Sequence, residues 1–293
     1  MSLGERSWFP LVHSVGLAMT NPPPTEVRLP PPPSDAAMTA LETFLVPAKA
    51  WFRPTIDGWN VVPDDRPLLF VGNHTLFGVV DIPHLMVALW RRRGIKLRSL
   101  GDHAHFQVPI WRRIMRETGV VDGTRENCAA AFRQRQCVLV FPGGARESFK
   151  GRGERYQLIW GERLGFARMA LRHGVTIVPF AAIGADDAFN LAMDRTEIKQ
   201  TRLGSFLGLM GLKDDYLVPL PSHMLPAPRR LYFRFMPPVR TSSLKHLPEE
   251  QAARAVRDQT RAAVASGIEA LRRIRRSDPR DGFGPLEDWL AGL

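Results

Sequence analysis

The sequence predicts an α/β fold, a mostly parallel mixed sheet covered by helices on both faces. Two observations predict it. From about residue 65, short apolar runs alternate with stretches of helical periodicity, the order that builds parallel sheets. Several of the runs, such as Leu68-Leu69-Phe70-Val71 and Val138-Leu139-Val140, are unbroken apolar segments, as expected of buried strands. No internal repeat competes with this reading.

The chain begins with a Pro-rich leader over residues 1–34, expected to be poorly ordered. Pro22-Pro23-Pro24 and Pro30-Pro31-Pro32-Pro33 favour extended backbone and exclude helix or interior strand. Residues 35–293 are expected to form one domain. Ser34 or Asp35 can cap a helix over Ala36–Val46 that Pro47 ends. Pro67–Val71 is a buried strand, and Asp81-Ile82-Pro83 opens a helix through Trp90. Lys96–Leu100 is a short strand, Val108–Arg116 a helix, and Gly119–Val121 extended. Thr124 caps a helix over Arg125–Arg133. Gln136–Phe141 is a strand, Gln157–Arg172 a helix stopped by His173-Gly174, and Val175–Phe180 and Arg230–Phe235 further strands. Glu249–Arg275 is a long Ala/Arg-rich helix whose basic end suits the negative end of its dipole.

Composition narrows the function. The 293 residues carry 40 Lys+Arg against 29 Asp+Glu, a formal charge of +11. That excess suits an anionic partner such as nucleic acid, a phospholipid surface or a phosphorylated substrate, or else reflects Arg-rich usage alone. Zinc-finger spacings and RNP-type aromatic runs are missing, so nucleic acid is not expected. Cys128 and Cys137 offer no disulfide framework and read as buried thiols in a reducing compartment. The N-terminal apolar stretch is interrupted by Pro10 and His13, unlike a signal peptide. No run approaches the ~20 apolar residues of a spanning helix. Leu203–Leu212 is about half that length and reads either as core or as a segment lying in a membrane interface.

Two constellations carry chemistry. In Phe70-Val71-Gly72-Asn73-His74-Thr75-Leu76-Phe77-Gly78-Val79-Val80-Asp81, a histidine follows a strand at the carboxyl end, where open α/β sheets place their ligands. A neutral imidazole there can take a proton from a hydroxyl as its oxygen attacks a thioester. Asp81 lies seven positions on. Along one helix the two would stand about 10 Å apart, so contact needs a chain reversal at Gly78. The alternative for Asp81 is a helix cap. In Phe141-Pro142-Gly143-Gly144-Ala145-Arg146-Glu147, a glycine turn can present N–H groups to an anion, and Arg146 adds a bidentate fork. Lys150 and Arg152 follow closely. Arg125, at a helix start, can bind an acceptor headgroup. Val178-Pro179-Phe180 reads as an acyl groove or as core. Asp102-His103-Ala104-His105 shows no third ligand at metal-binding spacing, so no metal is expected. A serine hydrolase elbow and the Walker and Rossmann glycine patterns are missing too.

In this order the four blocks Asn73-His74…Asp81, Gly119–Arg125, Phe141–Glu147 and Val178-Pro179-Phe180 resemble the lysophospholipid/glycerolipid acyltransferase superfamily over roughly residues 60–240. Asp81 lies farther from His74 than is usual there. Gly143 and Ala145 stand where the usual third block has Glu and Thr. Both departures resemble the monoacylglycerol/diacylglycerol acyltransferase-like branch, which includes plant phytyl ester synthase-like and bacterial members. The resemblance implies a glycerol-3-phosphate acyltransferase-like fold and an acyl-CoA or acyl-carrier-protein dependent O-acyltransferase, with no cofactor and a glycerolipid or other lipid alcohol as acceptor. It implies His74 as general base and Asp81 as its orienting acid, with Asn73, Arg125, Gly143, Gly144, Arg146 and Glu147 around the substrates. A cytoplasmic protein attached peripherally to the inner, anionic face of the membrane is expected. The rivals are an esterase or thioesterase using water as acceptor, and a lipid-binding protein without catalysis.

Overall fold

In the computed structural model, described for residues 27–281 apart from 28, 108, 212 and 245, seven strands form one sheet. They are β1 (Thr55–Asp57), β2 (Leu68–Gly72), β3 (Arg98–Gly101), β4 (Val121–Asp122), β5 (Val138–Val140), β6 (Thr176–Ile183) and, after a short β7 (Leu191–Met193) and β8 (Leu220–Pro221), β9 (Tyr232–Phe235). The spatial order is β1-β9-β6-β2-β5-β3-β4, and β7 pairs with β8 in a separate ribbon. Strands β6, β2, β5, β3 and β4 run parallel; β9 is antiparallel to β6 and carries β1 parallel to itself. The sheet is therefore mixed and mostly parallel, as expected.

Among the described residues ten α-helices accompany it: α1 (Asp35–Phe44), α2 (Val46–Phe52), α3 (Ile82–Arg93), α4 (Pro109–Glu117), α5 (Arg125–Arg133), α6 (Gly144–Ser148), α7 (Gly165–His173), α8 (Arg195–Gln200), α9 (Arg202–Leu209) and α10 (Glu249–Ser277). Alternation along β2 shows why both faces are covered. Leu69 and Val71 enter one core with Phe132 of α5, Ala170 of α7 and Val256 of α10. Leu68 and Phe70 enter the other with Phe52 of α2 and Leu85 and Leu89 of α3. All four β2 residues are essentially sealed from solvent, which is the reason the run reads as unbroken apolar sequence.

Several elements differ from expectation. Pro47 does not end a helix: the chain breaks at Leu45, and Pro47 sits in the first turn of α2, where its missing N–H costs nothing. The helix expected over 157–172 forms only from Gly165. Its first half is a loop that buries Trp160 in the core and carries Arg163 to the carbonyls of Pro142 and Gly143. Val178 and Phe180 are core, with Phe180 edge-on to Phe141 at 6.0 Å. Of the two readings of the Leu203–Leu212 run, core does not hold for its described residues 203–211, since most of α9 lies exposed. The proline leader falls largely outside the described residues, but its end is packed: the Arg98 guanidinium donates to the Pro30 carbonyl, and Pro33 lies against Gly119. Both cysteines are buried and unbridged, and burial pushes the Cys128 thiol up to about 12. Among the described residues no helix is long and apolar enough to cross a membrane.

Candidate active site

His74 stands two residues beyond the carboxyl end of β2. The register here is set by Asn73, which is fully buried. Its side-chain amide donates to the Ala182 carbonyl at 2.8 Å and accepts from the Ala182 N–H at 2.8 Å, so it extends the β2–β6 ladder by one side-chain rung. Asn73 was expected to touch substrate; both ends of its amide are spent on backbone, and it does not face the cleft.

The segment after His74 folds back at Phe77 and Gly78, both left-handed with φ of 61° and 62°. At Gly78 a Cβ would lie 2.3 Å from His74 Cε1, so the glycine lets the chain pass beside the ring. Three anchors hold the segment. The Leu76 N–H donates to Asp186 Oδ1 at 2.7 Å, the Phe77 N–H to the Ser148 carbonyl at 2.9 Å, and Lys150 Nζ to the His74 carbonyl at 2.7 Å. Lys150 also pairs with Asp186 at 3.1 Å, both side chains being almost wholly buried. Lys150 was expected to support an anion site; it is instead the internal strut of the histidine loop.

The imidazole is half-buried. Its Nδ1 lies 3.0 Å from the Thr75 carbonyl. A carbonyl only accepts, so that bond places the proton on Nδ1 and makes Nε2 the basic nitrogen. The ring sits 4.4 Å from the Phe141 ring, centroid to centroid. Asp81 is 3% exposed at the head of α3 and makes no side-chain capping bond there. Burial pushes its carboxyl up to about 6, against the pull of the Thr75 hydroxyl and of the backbone N–H groups of Asp81 and Ile82. Neither Thr75 Oγ1 nor Asp81 Oδ1 completes a hydrogen bond of normal geometry. The carboxyl thus stands beside Thr75, the residue whose carbonyl holds the imidazole.

The glycine turn lies on the same side of the sheet. Gly144 and His74 line one hollow of about 310 Å³, with Phe77, Phe141, Phe149 and Tyr216. Asp102 also lines it and accepts from the Tyr216 hydroxyl at 2.8 Å. No lysine or arginine is among its lining residues. A second hollow of about 260 Å³ shares the Phe141 and Leu100 walls and carries Arg125 and Arg163. Arg125 is exposed at the first turn of α5, which Thr124 caps through the Asn127 N–H.

Two residues of the third block do not serve as expected. Arg146 already holds Glu154 through both guanidinium nitrogens, one bond being 3.0 Å, so its fork is filled by a protein carboxylate. Glu147 is 0% exposed and folds over Gly143, where a Cβ would come within 1.9 Å of Glu147 Oε2. Burial pushes its carboxyl up to about 7. The Lys150 ammonium and the backbone N–H groups of His74 and Ile159 draw it back down, yet neither oxygen completes a hydrogen bond of normal geometry. Glu147 supports the floor beneath His74 and is closed to substrate. Sequence reasoning missed Arg163, Asp186 and Tyr216, which lie outside the motif blocks, in the loop before α7 and in two short 3-10 turns. Of the Asp102–His105 cluster, His103 is bonded to Asp122 and Gln107, and the side chain of His105 lies outside the described residues.

The chain is similar to known proteins. The chain is 30% identical over 249 residues to phytyl ester synthase 1, chloroplastic, of Arabidopsis thaliana, covering 76% of this chain and 35% of that one. It is 29% identical over 132 residues to the Homo sapiens "DGAT1/2-independent enzyme synthesizing storage lipids", covering 45% of this chain and 40% of that one. It thus spans about a third of the length of the plant relative. The crystal structure of the 1-acyl-sn-glycerophosphate (LPA) acyltransferase PlsC from Thermotoga maritima superposes with a TM-score of 0.53 at 15% identity, over 80% of this chain and 79% of that one, a likeness of fold. Residues 53–183, a stretch that holds the histidine loop and the glycine turn, match the model of the Acyltransferase family.

Proposed function

We propose that the protein transfers a fatty acyl group from acyl-CoA or an acyl carrier protein to the hydroxyl of a neutral lipid alcohol. The observation that carries this reading is the setting of His74: a half-buried imidazole with Nδ1 held by a carbonyl, in an apolar hollow without cationic lining. Nε2 takes the proton of the acceptor hydroxyl as its oxygen attacks the thioester carbon. The tetrahedral intermediate collapses, the carbon–sulfur bond breaks, and the thiolate leaves with the proton returned by the imidazolium. Asp81 is a positioning residue that acts through Thr75, and its buried carboxyl favours the imidazolium. The donor's phosphates lie in the adjoining hollow against Arg125 and Arg163, taking the role that the sequence suggested for Arg146. That no lysine or arginine among the described residues lines the His74 hollow itself, Arg163 standing behind Gly144, favours a neutral acceptor over a phosphorylated one. The positive net charge supports peripheral attachment to an anionic membrane.

The test is purified protein with labelled acyl-CoA and an acceptor panel running from lysophosphatidate through diacylglycerol to long-chain alcohols. Neutral acceptors are expected to yield lipid ester, and His74→Ala to lose at least about 10²-fold in turnover with the fold kept. Thiol release without an acceptor would make the protein a thioesterase.

A further inference from the structure

The exposed apolar side chains are not scattered. Among the described residues thirteen large apolar side chains are exposed, and eight of them lie between Leu203 and Leu225. In α9, Leu203, Phe206 and Met210 recur at helical spacing on one side, and Leu209 beside them is 86% exposed. Farther along the same stretch of chain Met224 and Leu225 are exposed as well, Met224 at 89%. Monomeric soluble surfaces rarely gather such residues in one stretch. Arg202 and Lys213 bracket α9, both exposed and without an ion pair among the described residues.

This stretch is tied to the cleft. Tyr216, in its middle, lines the His74 hollow and donates to Asp102 on the opposite wall at 2.8 Å. The Asp214–Tyr216 turn packs on α6, the helix that follows the glycine turn. Val79, another exposed apolar residue, lines the same hollow.

We infer that the segment Leu203–Leu225 is the membrane-docking surface, and that it seats the mouth of the His74 hollow on an anionic bilayer. The occupant is a phospholipid interface: the apolar side chains enter the acyl boundary while Arg202 and Lys213 meet anionic headgroups. An acceptor then passes from bilayer to imidazole beside Tyr216 without crossing water. The inference rests on the acyl-transfer reading for its purpose, but its test does not.

The test uses the full chain. Leu209→Cys is labelled with an environment-sensitive fluorophore, since Cys128 and Cys137 are buried; Ala262→Cys on the exposed side of α10 is the control. With vesicles of phosphatidylcholine plus phosphatidylglycerol, the label at 209 is expected to shift to the blue and to be quenched by brominated lipid, and the label at 262 to do neither. The double variant Leu209→Glu with Met210→Glu is expected to bind these vesicles at least about tenfold more weakly. Its turnover of short-chain, water-soluble substrates should be unchanged. No response at 209, equal responses at both positions, or wild-type vesicle binding by the double variant overturns the inference. If vesicle docking follows expectation but the wild-type protein forms no ester, the acyl-transfer reading fails and the docking surface stands. If docking fails while soluble substrates turn over, the reverse holds.

Discussion

The ammonium of Lys150 donates to the backbone carbonyl of His74 at 2.7 Å from a side chain that is 2% exposed. The same ammonium pairs with Asp186, whose carboxylate also accepts from the N–H groups of Leu76 and Tyr156. One buried ion pair therefore joins the histidine loop to the loop that follows β6. Removing one partner of such a pair costs about 3–5 kcal/mol, because the other charge is left buried alone. Lys150→Met is expected to lose stability of this order in urea unfolding. Adding Asp186→Asn should recover part of it. Equal stability of Lys150→Met and wild type would refute the strut.

Gly78 tests the histidine geometry from the other side. A methyl there meets the imidazole at 2.3 Å, in a left-handed conformation. Gly78→Ala is expected to cost about 1–2 kcal/mol for the backbone alone. By displacing the ring it should also lower turnover at least about tenfold. A variant with full activity would show that the ring position does not matter to the chemistry.

Glu147 predicts a pH dependence. Burial raises its carboxyl to about 7 from an ordinary 4.5. Between those values the folded protein keeps a proton that the unfolded chain releases, so this group makes stability fall as pH rises. The cost is absent in acid, grows through the window and is complete above it, reaching about 3 kcal/mol. Asp81, raised to about 6, acts in the same direction. Glu147→Gln is therefore expected to gain on wild type progressively from pH 5 to pH 8 in thermal or chemical unfolding. Parallel profiles for the two proteins would sink the assignment.

The arginines divide by what already holds them. Arg146 is engaged by Glu154 on both terminal nitrogens, whereas Arg125 stands exposed beside the second hollow, and Arg163, which spends one nitrogen on the Pro142 and Gly143 carbonyls, keeps a half-exposed side chain there. Arg125→Gln and Arg163→Gln are expected to raise the KM for the acyl donor about tenfold or more, in line with the loss of a charge-assisted hydrogen bond. Arg146→Gln should leave that KM within about twofold while lowering the melting temperature. The opposite ranking, read from steady-state kinetics on the three variants, would return the donor phosphates to the glycine turn.

Much of the framework was legible because its signals are local. The apolar run of β2 and the Thr124 cap of α5 each declare themselves within a few residues, and α5 has the expected bounds. His74 and Gly144 were legible as motif members, and the strand order brings their loops to one hollow. What stayed hidden was the division of labour. Asn73, Arg146 and Glu147 sit in the motif blocks, yet their partners are Ala182, Glu154 and the core under Gly143, contacts no local pattern reveals. The loop from 157 to 164 carries helical periodicity, but the tertiary demand to bury Trp160 and deliver Arg163 overrides it. For α9 hydropathy left core and membrane interface both open, and the structure exposes most of the helix.

Because β9 lies antiparallel to β6, the chain leaves the sheet after Ile183 and rejoins it at Tyr232 at the same end, the one that bears the imidazole. Beyond Asp186, which anchors the histidine loop, that excursion can be lengthened, shortened or rewritten without a strand of the main sheet changing partner. The architecture thus separates what must be constant, the placement of a base against its loop, from what can be remodelled, the choice of molecule admitted. Grafting a different excursion between Phe189 and Tyr232, with the Asp186 anchor of the histidine loop kept, is the natural route to a new acceptor range on the same scaffold.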